Sequence, residues 1–388
     1  MDTFFRNLFL LMGKSATPGD GAIIFDEIQL FPPARQAIKV LVADGRFHYI
    51  ETSSLISIKK NVESILIPSE EQRIPMFPMD FEEFCWARED NVTVPAIRNA
   101  FERRLPMGKA IHRKVMAQFR EYMAVGGMPQ AVNALVEGRS YHEIDSVKRA
   151  ILELYGHDLE KFDDESHGKA AASFRSIPEQ LMHRNSRFQL ATIDKSWRSS
   201  LAEDSLDFLA KSMIVNPCIS VSEPVVALEM AADRSFFKLY MADTGLLVTQ
   251  MLMCGAETED SLYKSLVLDK LGINQGLIME NLIAQVLTSS GRKPYFHEFE
   301  YLPRPSQAGT AEIKPVPKRY EIDYLIVRSK HVCLVEVKPS GYRAHKSLDC
   351  FLEKYRDRKI AEKFVLHTKD LEWTNEILYL PLYMAICL

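Results

Sequence analysis

The chain has 388 residues, 48 of them basic and 52 acidic, and a formal net charge of −4. This near balance excludes a protein that is basic throughout, such as one that coats nucleic acid, and no apolar stretch reaches the roughly 20 residues of a membrane span. The length predicts two or three domains. The six scattered cysteines include no C-x-x-C pair, which favours reduced thiols and a cytoplasmic protein.

The first predicted strand ends in two carboxylates. The segment IIFDEIQ at 23–29 begins with apolar residues and then presents Asp26 and Glu27. In a nucleotide hydrolase, this order places the first carboxylate on a magnesium ion and the second beside the attacking water. We therefore predict that Asp26 binds a metal ion and that Glu27 is catalytic.

A phosphate-binding loop should precede such a strand, and the sequence offers one weak candidate. The segment GKS at 13–15 has Leu8 where the phosphate-loop pattern requires its first glycine. The residues that follow, ATPGDG, predict a turn and leave no room for the helix whose N-terminus would hold phosphates. We expect Lys14 to lie on a solvated loop or helix end instead.

A second strand with hydroxyl side chains at its end is predicted after a helix that runs from the proline pair at 32–33 to Gly45. The strand FHYIETSS at 47–54 ends in one threonine and two serines. Parallel α/β sheets bind ligands at such strand ends, so we predict that Ser53 or Ser54 senses the γ-phosphate of a nucleotide. The alternative is that these hydroxyls cap the following helix.

The middle of the chain is predicted to be helical and then to form a winged helix. Residues 88–163 show apolar spacings of three and four with a basic opposite face, and the glycine pair at 126–127 predicts a tight helix–helix corner. In 164–260, a short helix at SIPEQL, a longer helix and two strands at 218–224 and 236–247 have the rhythm of a winged helix-turn-helix. The acidic face of the longer helix favours a structural or protein-binding role over DNA binding.

The last part of the chain carries a second group of charged residues. Glu280 lies on a predicted helix, Asp323 lies on a predicted strand, and the next strand ends in Glu336 and Lys338. If these strands form a hairpin through 328–330, Asp323 comes near Glu336, and two carboxylates beside a lysine are a layout that binds Mg²⁺ and cleaves phosphodiesters. The alternative is a cross-strand salt bridge of Glu321 or Glu336 with Lys338 on a half-exposed sheet. A helix predicted over 346–367 has a basic outer face that could contact a phosphate backbone.

Several segments together resemble a known family of AAA-type ATPases, in which the AAA core precedes a C-terminal domain of unknown function with a restriction-nuclease-like fold. The segments that carry the resemblance occur in the family's order along the chain. They are IIFDEIQ, IETSSLISIKKNVESILIPSEE, MDFEEFCWA, YMAVGGMPQAV, SIPEQL, FKLYMADTGLL and EIDYLIV followed by CLVEVK. The sequence departs from the family in lacking the phosphate loop, which the family carries on a segment that would precede Met1.

The resemblance implies an α/β fold with four parts. These are a remnant of a P-loop AAA core with a parallel sheet (1–87), a helical connector or lid (88–163), a winged-helix-like module (164–260) and a restriction-endonuclease-like domain (261–388). By the same resemblance, Asp26 and Glu27 are the metal-associated and water-polarising carboxylates, and Arg73 is an arginine that can reach a phosphate. Asp323, Glu336 and Lys338, with Glu280, occupy the nuclease-like positions.

The function predicted on this basis is that of an AAA-family ATP-binding protein of unknown physiological role, without ATPase activity in this shortened chain. ATP is expected as a cofactor only if a phosphate loop is supplied, and Mg²⁺ is the expected metal. The alternatives are a Mg²⁺-dependent nuclease and a non-catalytic module that binds DNA or protein through the C-terminal domain. The sequence predicts no membrane partner and leaves the oligomeric state open.

Overall fold

The computed structural model describes most of the chain. The described residues are 2–14, 17, 19, 21–53, 71–162, 168–183, 187–194, 199–253, 255, 258–270, 275–302, 316–374 and 376–388.

The N-terminal part contains a small parallel sheet with its own core. Its elements are helix α1 (Asp2–Met12), strand β1 (Ala22–Phe25), helix α2 (Pro32–Asp44) and strand β2 (His48–Glu51). β1 pairs with β2 in parallel, so both strands end at one edge of the sheet. α2 begins at the proline pair and ends at Gly45 (φ 70°), as predicted. The buried apolar core is formed by Phe5, Ile28, Ile38, Leu41 and Phe47.

The next part is helical, as predicted. The helices are α3 (Phe81–Ala87), α4 (Thr93–Arg103), α5 (Lys109–Val125), α6 (Pro129–Val136) and α7 (Tyr141–Phe162). The glycine pair separates α5 from α6. A Cβ on Gly127 would lie 2.0 Å from the carbonyl oxygen of Met79, so the corner depends on close backbone contact.

The segment predicted to be a winged helix has a different architecture. It contains α8 (Lys169–Met182), α9 (Leu190–Ile193), α10 (Ser199–Lys211), β3 (Val215–Val221), β4 (Ala232–Met241) and α11 (Thr244–Leu252). The helix predicted to begin at SIPEQL starts earlier, and Pro178 lies inside it. β3 and β4 pair with each other, but they belong to a larger sheet and do not form a separate wing.

The rest of the chain completes that sheet. Its elements are α12 (Asp260–Val267), α13 (Gln275–Ser289), β5 (Tyr295–Tyr301), β6 (Lys318–Arg328), β7 (His331–Val337), α14 (Lys346–Lys354), β8 (Ile360–His367), β9 (Glu372–Thr374) and β10 (Ile377–Pro381). The sheet has eight strands in the order β4-β3-β5-β6-β7-β8-β10-β9. The predicted boundary between residues 260 and 261 therefore runs through one sheet, because β3 pairs directly with β5.

For this part of the chain, one prediction is confirmed and one is wrong. β6 and β7 form the predicted hairpin through 328–330, with Arg328 paired to His331. The helix predicted over 346–367 is wrong in its second half, because α14 ends at Lys354 and 360–367 form β8. Arg356, Arg358 and Lys359 therefore do not lie on a helix face. Arg358 forms an ion pair with Glu223 at 2.7 Å.

Within the described ranges, none of the helices combines the length and the apolar composition needed to cross a membrane.

Candidate functional site

The first candidate site lies where β1 and β2 end side by side. Asp26 follows β1 and Thr52 follows β2, and the Thr52 hydroxyl donates a hydrogen bond to Oδ1 of Asp26 at 2.5 Å. The backbone N–H of Glu27 donates to the Thr52 hydroxyl at 3.1 Å. A hydrogen bond between side chains therefore joins the ends of the two strands.

Glu27 has an unusual backbone conformation. Its φ of 50° and ψ of 46° lie in the left-handed region, which is costly for a residue with a side chain. Its carboxylate accepts a hydrogen bond from the Gln29 side chain. Glu27 is exposed, so its carboxylate is accessible to a ligand at this edge.

The other nucleotide-site residues are less closely placed. Ser53 lies directly after Thr52 and is half-buried, whereas Ser54 lies outside the described residues. Arg73 is 66% exposed and pairs with Glu71 at 2.9 Å. Thr52, which the sequence marked only as a strand-end hydroxyl, is the residue that contacts Asp26.

The loop at Lys14 has the wrong order of elements for a phosphate loop. A phosphate loop connects a strand to a following helix. Here Gly13 and Lys14 follow helix α1 and precede strand β1. Both residues are exposed, in agreement with a solvated loop.

The second candidate site lies in the large sheet, on β6 and β7. Tyr324 pairs with Val335, so Asp323 and Glu336 are the next residues along the two antiparallel strands. Oδ2 of Asp323 accepts the backbone N–H of Val337 at 2.7 Å. The hairpin therefore brings the two predicted carboxylates together.

A β-bulge sets the position of Asp323. Tyr295 pairs with Leu325, but His297 pairs with Ile322, so β6 has one extra residue between Ile322 and Leu325. A bulge changes the direction of the side chains around it, and bulges are frequent next to active sites. Here the extra residue lies beside the acidic side chain.

Glu336 has no solvent exposure and few partners. Its Oε2 lies 2.7 Å from Nζ of Lys338, which is 27% exposed. Among the described residues, neither carboxylate oxygen has a hydrogen-bond donor in normal geometry, and Oε1 has no ion-pair partner. A buried carboxylate with so few partners is costly unless it binds a proton or a cation.

Three further charged side chains lie close to this pair. Glu280, on α13, is half-buried and accepts a hydrogen bond from the Tyr240 hydroxyl at 3.3 Å. Lys238, on β4, is buried and forms an ion pair with Glu321 on β6. We define the acidic cluster as Glu280, Glu321, Asp323 and Glu336 with the two lysines Lys238 and Lys338.

The pKa values of the acidic cluster reflect an excess of carboxylates over lysines. Burial and repulsion from Asp323 raise the pKa of Glu336 to about 8, although Lys338 opposes this shift. Burial and the same repulsion raise the pKa of Glu280 to about 7. Burial also lowers the pKa of Lys338, but the attraction of Glu336 and Asp323 outweighs it, so the pKa lies above its usual value. Near neutral pH the cluster therefore binds protons that free carboxylates would release.

The predicted metal ligands are not arranged as a ready-made metal site. Among the residues that the structure describes, no three histidine, cysteine, aspartate or glutamate side chains are placed to hold a metal ion. Asp323 accepts a backbone N–H, and Glu336 is paired with Lys338. Repulsion from Asp323 raises the pKa values of Glu336 and Glu280, but the three carboxylates do not surround one common position.

Sequence analysis did not find Lys238, and it considered Glu321 only as a salt-bridge partner of Lys338. Lys238 stands alone among apolar residues in FFKLYM, and Glu321 precedes Asp323 by two residues in the same strand. A lone lysine in an otherwise apolar strand is a signal that a buried partner is present. The sequence does not show which carboxylate that partner is, because β4 and β6 are not adjacent in the sheet.

Models of two known families match two separate segments of the chain. Residues 2–85 match the model of the AAA domain family. This match supports an AAA-type domain at the N-terminal end. Residues 116–258 match a domain of unknown function (DUF8612). No curated protein and no solved structure gives a significant match.

The two matches agree in part with the predicted organisation. The AAA match ends within α3, close to the predicted boundary at residue 87. The second match extends from α5 past α11 and so spans both the predicted connector and the predicted winged-helix-like module. The two matches support an AAA-type domain followed by a domain of unknown function, and neither reaches the restriction-endonuclease-like domain predicted for 261–388.

Proposed function

We propose that this chain is an AAA-family ATP-binding protein in which the edge at Asp26, Glu27 and Thr52 is the metal- and water-handling half of the nucleotide site. The observation that carries the proposal is the hydrogen bond that joins Asp26 to Thr52 at the common edge of two parallel strands. The AAA match over 2–85 supports it.

In this proposal, the 388-residue chain binds ATP weakly and does not hydrolyse it. The backbone N–H groups and the lysine of a phosphate loop supply most of the charge complementarity for a triphosphate. The only predicted candidate, Lys14, lies between a helix and a strand in the wrong order. Asp26 would hold Mg²⁺ and Glu27 would orient water when a phosphate-binding segment is supplied.

The test measures retention of labelled ATP with Mg²⁺ and phosphate release by the purified chain. We expect no stoichiometric retention at micromolar ATP, and equal phosphate release by the unchanged chain and by Glu27→Gln. Stoichiometric retention at micromolar ATP would contradict weak binding. The assignment of the nucleotide site would be overturned if the chain binds no Mg²⁺–ATP at millimolar concentration, or if Asp26→Ala leaves that binding unchanged.

A second candidate function is cation-dependent phosphodiester cleavage by the acidic cluster. It is favoured by the buried carboxylate of Glu336, which lies next to Asp323 and Lys338. Among the described residues, its Oε1 has no hydrogen-bond or ion-pair partner. The predicted hairpin of β6 and β7 also supports this function, because it brings Asp323 and Glu336 onto neighbouring strands.

The acidic cluster supplies the oxygen donors that a hard divalent cation prefers, and its carboxylates would have to converge on the ion when it binds. Its four carboxylates exceed its two lysines, and a divalent cation would offset the difference. Mg²⁺ needs only one or two protein carboxylates because it retains several water molecules. Asp323 and Glu336 would hold the ion, which when bound would lower the pKa of an attacking water. Lys338 would stabilise the negative charge that develops on the phosphate.

This function is tested by nicking of supercoiled plasmid DNA with Mg²⁺ or Mn²⁺. We expect metal-dependent nicking that Glu336→Ala abolishes, whereas Glu300→Ala, at an exposed position on β5, leaves it unchanged. An unchanged rate in Glu336→Ala, or no nicking by the unchanged chain, would remove this function.

A further inference from the structure

A basic groove, whose lining includes no residue of either candidate site, lies along helix α5. It is a cavity of about 470 Å³ between α5 and the residues that follow β8. Its charged lining consists of Lys109, Arg113, Arg120 and Lys369, and it includes no carboxylate. In a chain of net charge −4, this local concentration of positive charge requires a separate explanation.

The cations of the groove form a line. Lys109, Arg113 and Arg120 are four and seven residues apart on α5, which places them on one face of the helix. At a rise of about 1.5 Å per residue, they span roughly 16 Å. A single phosphate cannot contact charges spread over this length, whereas a polymer of phosphates can.

The positive charge of the groove is largely uncompensated. In the described part of the chain, no ion pair involves Lys109, Arg113 or Lys369, and all three are exposed. Arg120 pairs with Asp269 at 2.9 Å, and Asp269 is 43% exposed.

The carboxylate of Asp370, which adjoins the groove without lining it, offsets part of this positive charge, because accepting hydrogen bonds does not remove its negative charge. Both carboxylate oxygens of Asp370 accept backbone N–H groups, from Met107 at 3.0 Å and Gly108 at 2.8 Å. His112 contacts the Tyr383 hydroxyl at 3.0 Å and the Thr368 carbonyl at 3.2 Å. Its side chain thus forms part of the floor and adds no anion to the groove.

The groove begins at the strand end next to the acidic cluster. Thr368 and Lys369 directly follow β8, and the backbone N–H of Lys338 donates to the Leu366 carbonyl at 2.8 Å. β7 and β8 are parallel neighbours, so Glu336 and the groove lie toward the same edge of the sheet. A strand of phosphates in the groove could therefore continue toward that edge.

We propose that this groove binds the phosphate backbone of a nucleic-acid strand. Lys109, Arg113, Arg120 and Lys369 contact successive phosphates, and binding is driven by the release of counterions. A bilayer surface is flat on this scale and cannot enter a cavity between a helix and a strand end. The proposal concerns a surface separate from the nucleotide edge and does not depend on cleavage by the acidic cluster.

The test is fluorescence anisotropy of labelled oligonucleotides with the full chain in EDTA at low salt. Single-stranded DNA, duplex DNA and RNA of about 20 nucleotides distinguish the source of the phosphates. We expect binding whose affinity falls with salt at a logarithmic slope of about −2 to −3, as three or four phosphate contacts to a single strand predict. Because EDTA prevents cation-dependent cleavage, failure of the nicking experiment leaves this measurement unaffected.

Charge reversal at neighbouring positions of α5 provides the matched control. Arg113→Glu should weaken binding at least about tenfold and reduce the salt slope, because it reverses a charge inside the groove. Lys114→Glu makes the same charge change at an exposed position that does not line the groove, and should leave affinity within about twofold. The proposal is overturned if the unchanged chain binds none of the three oligonucleotides. It is also overturned if Lys114→Glu weakens binding as much as Arg113→Glu, or if anionic vesicles are bound in place of nucleic acid.

Discussion

A carboxylate without solvent contact must bind a proton, pair with a cation or bind a metal ion. Glu336 is in this position, with zero exposure and one lysine contact. Its pKa of about 8 means that the folded protein holds a proton that the unfolded chain releases above about pH 4.5. The contribution of the Glu336 carboxyl group to folding stability therefore decreases as the pH rises from 4.5 to 8.

The first prediction concerns Glu336→Gln. Glutamine has the same shape and does not ionise, so the stability of the variant relative to the unchanged protein should increase between pH 5 and pH 8. The difference should approach about 1.4 kcal/mol per pH unit at most. Urea denaturation at the two pH values measures it. The substitution also removes the contact with Lys338, which changes the free energy of unfolding by the same amount at both pH values. The prediction is contradicted if the difference in unfolding free energy between the two proteins does not vary with pH.

Backbone packing at the glycine corner involves residues from distant parts of the chain. Gly127 accepts the Met79 N–H at 2.7 Å and donates to the buried Asp243 carboxylate at 2.6 Å. A Cβ on Gly245 would lie 2.1 Å from the Val125 carbonyl oxygen. These contacts join the end of the AAA-matched segment to α5 and α11.

The second prediction is that Gly127→Ala destabilises the protein by about 2–3 kcal/mol, because the obstructing atom belongs to backbone and cannot rotate away. Chemical denaturation measures the loss. Gly255→Ala is the matched control, since a Cβ there meets no atom within 4 Å. Equal effects of the two substitutions would show that the corner is not closely packed.

At the level of elements, the β6–β7 hairpin positions the acidic cluster. Its two-residue turn has positive φ at Ser329 (47°) and Lys330 (68°), as in a type I′ turn. Residues with Cβ atoms are strained there, and the hairpin forms because the flanking strands are apolar and paired.

The third prediction is that the double substitution Ser329→Asn and Lys330→Gly stabilises the protein by about 0.5–1 kcal/mol, since Asn-Gly is the preferred type I′ pair. Thermal and urea denaturation measure the gain. Ser329→Ala with Lys330→Ala keeps the strained backbone and should not stabilise. A stabilising alanine pair would show that the turn conformation is not the cause.

Elements with local signals were predictable from the sequence, and their assembly was not. Helix α2, strands β1 and β2, and the β6–β7 hairpin follow from proline, glycine and apolar patterns in short windows. Residues 360–367 were mistaken for helix because a short apolar run bounded by charges fits either structure. The assignment of β3 and β4 to the large sheet depends on pairing with β5, more than 70 residues away along the chain, and no local pattern encodes such a pairing.

The candidate sites show the same division between local and distant information. Asp26, Glu336 and Lys338 were found because each stands at or next to the end of an apolar strand, and Asp323 because it is a carboxylate within a predicted strand. Thr52 was not chosen as the partner of Asp26, since three adjacent hydroxyl residues could each fill that role. Lys238 was missed, and Glu321 was assigned to Lys338, because the contact between Lys238 and Glu321 joins two strands that are distant in sequence.

At the scale of the whole molecule, the large sheet combines strands from both sides of the boundary predicted at 260–261. β3 and β4 precede that boundary, and the other six strands follow it. A cut there would leave β5 without its partner β3 and would expose the edge of an apolar sheet.

The fourth prediction is that the fragment 261–388 does not fold into a soluble monomer. Expression followed by size-exclusion chromatography and circular dichroism tests this. The control is the fragment 71–388, which keeps all eight strands and loses only the N-terminal part with its separate core. A monomeric fragment 261–388 with cooperative unfolding would contradict the prediction.

The bulge in β6 makes the chain sensitive to length at one position. Strand residues alternate between the two faces of a sheet, so removing one residue between Ile322 and Leu325 would rotate all preceding residues of β6 to opposite faces. Tyr320 and Ile322 would leave the core, and Glu321 would be turned away from Lys238. Related chains should therefore differ in which residues they have at this bulge but not in their number. A deletion at the bulge in an aligned chain would indicate that this chain lacks the acidic cluster.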